Sequence, residues 1–187
     1  GIAVIPEFPM SFTFQIGFSK SASVAGGVAI LARAADGAVA GATEADPAGI
    51  LENAMRIGKF TGKALATLDI LAPHGSAAER IILLGLGKPE AITAHDWLRA
   101  GGAAAAKVRK ADAVTIFLDA PGVDVTAKAA ADFALGMEMN AYSFDTYKTK
   151  KDEDEDRTSK KPVKVTIVTA VAGEAKKLAA VTDAVAG

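Results

Sequence analysis

Arg80-Ile81-Ile82-Leu83-Leu84-Gly85-Leu86-Gly87-Lys88-Pro89-Glu90, with Thr93-Ala94-His95-Asp96-Trp97 just beyond it, is the stretch whose reading decides the fold class. Ile81 to Leu84 are four aliphatic residues without alternation. A strand of that kind is covered on both faces, as in a sheet held between helices. The glycines break the run, and Thr93 with Asp96 three residues later makes a capping box that starts a helix. Trp97, Gly101, Ala105 and Val108 fall along one side of that helix. Gly101-Gly102 is expected to let it approach the sheet closely, at some cost in helix stability.

The same alternation of strand and helix continues toward the carboxyl end. Val114–Leu118 reads as a second buried strand, and Ala130, Phe133, Ala134, Met137 and Ala141 mark an amphipathic helix. Lys148–Lys161 is a dense mixed-charge stretch, expected as an exposed loop. Val163–Val168 alternates as a strand, and Glu174 onward is an Ala-rich helix with Leu178, Val181 and Val185 on one face.

Toward the amino end, Ser11–Phe18 alternates cleanly, with Phe12, Phe14, Ile16 and Phe18 on one face. Val28–Ala32 is a short apolar strand. Asp46-Pro47 is expected to open a helix, with Asp46 as N-cap and Pro47 at its first position. Ile50, Leu51, Ala54 and Ile57 give that helix an apolar face, and Gly58 ends it. Phe60-Thr61-Gly62-Lys63 reads as a turn into a strand over Ala66–Leu71, closed by Pro73-His74-Gly75. The order predicts a three-layer α/β domain with a mixed sheet, the early strands being free to run antiparallel.

Composition narrows the function classes. The 187 residues are 50% hydrophobic and 23% charged, with a net charge of −1 and no cysteine. That length suits one domain with a real core. Near-neutral charge gives no global field for nucleic acid or an anionic membrane. Without cysteine there is no disulfide, thiolate metal site or thiol nucleophile. Gly1–Pro9 lacks the basic start and apolar centre of a signal peptide and carries Glu7 and two prolines, so it reads as a vector-derived remnant ahead of a native start at Met10.

Each candidate site has a plainer reading. The Gly85-Leu86-Gly87-Lys88 element sits where phosphate loops occur, yet Glu90 stands in place of the third glycine of a dinucleotide fingerprint. No Gly-Lys-Ser/Thr follows either, so a tight strand-to-helix turn is the better reading. Asp152-Glu153-Asp154-Glu155-Asp156 resembles the opening of a calcium loop, but Arg157 and Val163 occupy the glycine and bidentate-glutamate positions. His74 and His95 are the only histidines and lack a carboxylate at ligand spacing. No hydrolase elbow, zincin helix or Ser/His/Asp set appears.

Three ordered stretches carry a family resemblance. Phe60-Thr61-Gly62-Lys63 followed by a strand, then Ile82-Leu83-Leu84-Gly85-Leu86-Gly87-Lys88, resembles paired landmarks in the amino-terminal domain of leucyl aminopeptidases. Trp97-Leu98-Arg99-Ala100-Gly101-Gly102-Ala103-Ala104-Ala105 is similar to the helix that follows there. The most specific element runs from Ala134 through Gly136 into Tyr142-Ser143-Phe144-Asp145-Thr146-Tyr147-Lys148-Thr149-Lys150-Lys151. The resemblance covers Met10 to Gly187.

The resemblance implies a macro-domain-like α/β fold with a mixed, mostly parallel sheet flanked by helices. It implies a cytoplasmic parent enzyme that removes amino-terminal residues from peptides with two divalent metal ions, zinc or manganese, and assembles as a homohexamer. The family's metal ligands and catalytic lysine lie in a carboxy-terminal domain. No catalytic, cofactor-binding or metal residue is therefore assigned to this chain, and Lys148, Lys150 and Lys151 receive no catalytic role. The implied division is a remnant over 1–9, the domain over 10–172 and, over 173–187, a helix leading toward the catalytic domain. Implied partners are that domain, the other subunits and, for the parent enzyme, peptides; neither membrane nor nucleic acid is among them. The alternatives are a stand-alone macro-like module binding ADP-ribose or a nucleotide, and nucleic-acid binding through Lys148–Lys161.

Overall fold

The computed structural model describes residues 13–146 and 161–186, the side chains of 144–146 and 181–186 excepted. Six strands form one sheet: β1 (Phe14–Ser19), β2 (Val28–Ala34), β3 (Thr67–Leu71), β4 (Arg80–Gly87), β5 (Ala113–Phe117) and β6 (Val163–Val168). Their order is β1-β6-β5-β2-β4-β3. All neighbours are parallel except β3 and β4. The sheet is mixed and mostly parallel, but its antiparallel member is the edge strand β3. Both early strands, β1 and β2, run with the rest.

The apolar run at Ile81–Leu84 forms the interior of β4, where every residue from Ile81 to Leu86 is buried. Beside it lies β2, in which Ala29, Ile30, Leu31 and Ala32 are fully buried. Alternate residues of these two central strands feed two separate cores. Ile30, Ile82, Leu84 and Ile116 pack beneath α3 (Ala94–Lys107) and α4 (Ala127–Thr146), together with Trp97, Phe133 and Met137. Ala29, Leu31, Ile81, Leu83 and Phe117 face the opposite layer, built from α1 (Ala42–Ala45), α2 (Leu51–Ile57) and the surrounding loops. The last helix, α5 (Ala172–Ala186), touches α4 and β1.

Local patterns hold where they depend on neighbours in sequence. Every member of the stripe Ala130, Phe133, Ala134, Met137 and Ala141 is buried in α4. The Thr93/Asp96 capping box is formed in full at the start of α3. On β1, Phe14, Ile16 and Phe18 pack toward the helical core while Gln15 and Gly17 are exposed.

Two expectations are corrected. The helix expected at Asp46-Pro47 begins at Leu51 with Ile50 as N-cap. Asp46 instead closes α1, and a turn runs to Gly49, whose N–H donates to the Asp46 carbonyl at 3.1 Å. Its carboxylate still caps α2 across that turn, accepting from Ile50 N–H at 2.9 Å and Leu51 N–H at 3.0 Å. The second correction concerns Gly101, which packs on α4 rather than on the sheet. A Cβ there would overlap the Phe133 carbonyl and come within 3.1 Å of the Met137 nitrogen.

Two further expectations fall partly or wholly elsewhere. Of the expected face on the last helix, Leu178 is 41% exposed, while Ala172 and Ala175 are buried. The side chains of Val181 and Val185 and the Lys148–Lys160 part of the charged stretch lie outside the described residues.

Candidate functional site

In open α/β sheets, ligands enter the crevice beyond the carboxyl ends of adjacent strands whose connections leave to opposite faces. Here β2 is followed by the α1/α2 layer and β5 by α4 on the other face, so the crevice lies beyond β2 and β5. It is tightly packed where the loop after β2 meets the end of β5. Gly41 lies flat against the Phe117 ring, with no room for a Cβ between them. A Cβ on Gly37 would sit at an ordinary contact distance of 3.5 Å from the Pro121 carbonyl oxygen, so the loops after β2 and β5 run close together there.

The neighbouring Gly-rich element is equally committed. The strand continues through Gly87 and passes into a 3-10 turn at Pro89–Ala91 before α3 begins. Gly85 N–H donates to the Ala66 carbonyl at 2.8 Å, and Gly87 N–H to the Gly62 carbonyl at 2.9 Å. Their carbonyls accept from Leu65 N–H at 2.9 Å and Ala35 N–H at 2.8 Å. A phosphate cradle needs such amides free and aimed outward. At Gly85 the missing side chain admits the Lys63 carbonyl instead. The amino end of α3, the other place an anion would settle, holds the protein's own carboxylate: Asp96 accepts from Thr93 N–H at 2.8 Å.

Arg33 ties these loops together. Its Nε donates to the Gly37 carbonyl at 2.7 Å and its Nη1 to the Phe60 carbonyl at 2.5 Å, with the guanidinium 6.0 Å from the Phe60 ring centroid. The sequence reading passed over Arg33, although a lone charge inside the apolar strand Val28–Ala34 was a usable signal.

Two other polar constellations also escaped it. At the β3 edge, Asp69 receives Arg80 Nη2 at 2.7 Å and Lys107 Nζ at 3.2 Å. Arg80 Nη1 also donates to the Lys107 carbonyl at 2.9 Å, which joins the sheet edge to the end of α3. Partial burial pushes the Asp69 carboxyl upward, but hydrogen bonds from Arg80 and Lys107 outweigh it and hold the group below the usual aspartate range. At the opposite end of the sheet, Asp119 accepts from Thr169 Oγ1 at 2.7 Å and Ala170 N–H at 2.8 Å.

The remaining candidates are dispersed. His74 is exposed in a turn and His95 is exposed in the first turn of α3. Among the described residues, no three His, Cys, Asp or Glu side chains gather as metal ligands. A shallow depression beside α3 is lined by Leu65, Leu86, Ile92, Asp96, Trp97 and Arg99, and its carboxylate is already spent on the cap. The acidic run Asp152–Asp156 and Lys148, Lys150 and Lys151 lie outside the described residues. Among those described, no helix is long and apolar enough to cross a membrane.

A family model described as "Cytosol aminopeptidase family, N-terminal domain" matches residues 28–151. The chain belongs to the cytosol aminopeptidase family. Within that family it is 63% identical over 169 residues to a probable cytosol aminopeptidase of Sinorhizobium medicae (strain WSM419), covering 90% of this chain and 34% of that protein. A probable cytosol aminopeptidase of Agrobacterium fabrum (strain C58 / ATCC 33970) is 57% identical over 180 residues, which is 95% of this chain and 36% of the relative. The chain thus spans about a third of the length of these relatives. Among solved structures, a mutant of tomato leucine aminopeptidase superposes with a TM-score of 0.55 at 19% identity, covering 88% of this chain and 35% of that one. The bottromycin maturation enzyme BotP in complex with Mn gives 0.53 at 21% identity over 87% of this chain and 30% of that one. At these identities the superpositions establish a shared α/β fold.

Proposed function

We propose that this domain is the non-catalytic amino-terminal part of a metal-dependent aminopeptidase, serving assembly and peptide access while another domain performs hydrolysis. One observation carries the reading: at the glycine-rich end of β4, where such a fold would take a phosphate, the amides and carbonyls of Gly85 and Gly87 are hydrogen-bonded to the protein's own backbone. Among the described residues, the donor set does not fit a two-metal centre, which needs several inward carboxylates around a shared water. Asp46, Asp69, Asp96 and Asp119 are separately engaged in caps, an ion cluster and a loop contact. No hydrolytic step is therefore derived through these residues.

The reading extends to the parent protein: peptides as substrates, zinc or manganese as the ions, a homohexamer and a cytoplasmic location. It also divides the chain into a remnant over 1–9, the domain over 10–172 and a helix over 173–187 leading toward the catalytic domain. The family match and the relatives' greater length support the assignment to an aminopeptidase parent.

The purified chain, supplied with manganese or zinc, is expected to leave a leucyl chromogenic substrate intact. Metal-dependent turnover by homogeneous protein would overturn the non-catalytic assignment. Calorimetry with ADP-ribose is expected to give no stoichiometric heat, and tight binding would favour the ligand-module alternative instead.

A further inference from the structure

Asp36-Gly37 is the single Asp-Gly pair in the sequence, and no Asn-Gly pair accompanies it. At such a pair a main-chain nitrogen most readily attacks the preceding side chain, because glycine puts no Cβ in the way. Asp36 is exposed and left-handed, with φ of 57°. It is the third residue of a turn closed by Gly37 N–H, which donates to the Ala34 carbonyl at 3.0 Å.

Gly37 is held on both sides. Its N–H makes that turn bond, and its carbonyl accepts from Arg33 Nε at 2.7 Å. The same guanidinium donates through Nη1 to the Phe60 carbonyl at 2.5 Å, so it bridges the turn to the 60–63 segment. Asp36 N–H fastens the turn to that segment a second time, donating to the Thr61 carbonyl at 2.7 Å. The exposed residue thus carries the carboxyl, and the fixed one carries the nitrogen.

We propose that Asp36-Gly37 is a site of isoaspartate formation and that Arg33 guards it. In the reaction the Gly37 nitrogen bonds to Asp36 Cγ, and its proton leaves with the carboxyl hydroxyl as water. The resulting succinimide takes water back at either carbonyl and gives aspartate or isoaspartate, with no oxidation or reduction. Ring closure has to swing the Asp36–Gly37 peptide toward the side chain, which pulls Gly37 N–H off the Ala34 carbonyl. Arg33 opposes that swing, because its charge-assisted bond fixes the far side of Gly37. It is a positioning residue, since the reacting atoms all belong to Asp36 and Gly37. Isoaspartate routes the backbone through Cβ, so its formation lengthens the 34–37 turn.

Prolonged incubation of the whole chain, with mass-spectrometric peptide mapping of isoaspartate, tests this. The folded parent is expected to convert at Asp36 about tenfold more slowly than the same chain unfolded in urea. Arg33→Met keeps the aliphatic stem and deletes the donors, and is expected to convert about tenfold faster than the folded parent. Arg33→Lys keeps the charge but not the fork, and is expected to rise by about threefold. Gly37→Ala, whose Cβ meets only ordinary contacts of 3.5 Å in the fold, hinders the attacking nitrogen and is expected to suppress conversion. Gly136→Ala, which loosens the distant α3/α4 crossing, is expected to match the parent. A folded parent as fast as the unfolded chain, or an equal rise in Gly136→Ala and Arg33→Met, would overturn the guard. Parent-like conversion in either Arg33 variant would do the same, and the lysine variant decides if the methionine variant fails to fold. No isoaspartate at residue 36 even in urea would overturn the site itself.

Discussion

Gly101 in α3 and Gly136 in α4 join their helices backbone to backbone. The relationship is reciprocal. Gly101 lies against the carbonyl of Phe133, three residues before Gly136, and Gly136 lies against the carbonyl of Leu98, three residues before Gly101. A side chain at either position would occupy space now filled by main chain, which cannot rotate away as a side chain can. The pair α3/α4 makes the most extensive contact between any two elements, so this crossing sets how the helical layer covers Ile82, Ile116 and Ile167.

Gly101→Ala and Gly136→Ala are each expected to destabilise the domain by about 2–3 kcal/mol, the range for overpacking that backbone cannot relieve. Gly102→Ala supplies the control on the same helix. A Cβ there would stand 3.8 Å from the Gly136 carbonyl oxygen, an ordinary contact. Relief of glycine's poor helix propensity then dominates, for a gain of about 0.5–1 kcal/mol. Urea denaturation midpoints at constant slope separate the three variants, and equal loss in all of them would remove the reciprocal crossing as the cause.

Acid sensitivity follows from two carboxyls. Partial burial raises Asp69, but its bonds to Arg80 and Lys107 win, and hydrogen bonds from Thr93 lower Asp96, the backbone N–H being the larger influence. Both folded-state values lie below the ordinary aspartate value of 3.8. Such groups contribute stability that is present above the unfolded value and lost as pH falls through the folded one. Stability should therefore hold between neutral pH and about 5 and decline below about 4. An Asp69→Asn/Asp96→Asn variant is expected to show a shallower acid limb in pH-dependent thermal melts. A limb as steep as the parent's would assign the loss to other carboxyls.

The parts legible in the sequence are those decided by neighbours along the chain. Ile81–Leu84 announces a doubly covered strand, Thr93 and Asp96 announce a cap, and Ala130, Phe133, Met137 and Ala141 announce a buried helical face. What escaped depends on distant partners. Nothing near Gly101 says that Phe133 will lie against it, and Asp119 meets Thr169 across fifty positions. The Gly85–Gly87 end of β4 shows the same limit at a candidate site: its glycines suit a phosphate until the carbonyls of Gly62 and Ala66 are seen to take its amides. Asp46 is intermediate. Its role as a cap was readable, but the turn through Gly49 placed the helix start later than Pro47 suggested.

That same helix, α2, supports a prediction at its other end. Gly58 is its C-cap but keeps right-handed geometry, with φ of −77°. The left-handed residue is Lys59, with φ of 53° and an exposed side chain. Holding a non-glycine residue there costs about 1–2 kcal/mol, and glycine's extra freedom in the unfolded chain costs about 0.5–1 kcal/mol. The first exceeds the second, so Lys59→Gly is expected to stabilise the domain by about 0.5–1 kcal/mol, while Lys59→Ala gains nothing. Gly58 is not the position to exchange, because a Cβ there would come within 2.8 Å of Leu68 Cδ1. Chemical denaturation of the two Lys59 variants checks the sign: a loss of stability in Lys59→Gly would mean that the Lys59 side chain contributes more to the fold than its strained backbone costs.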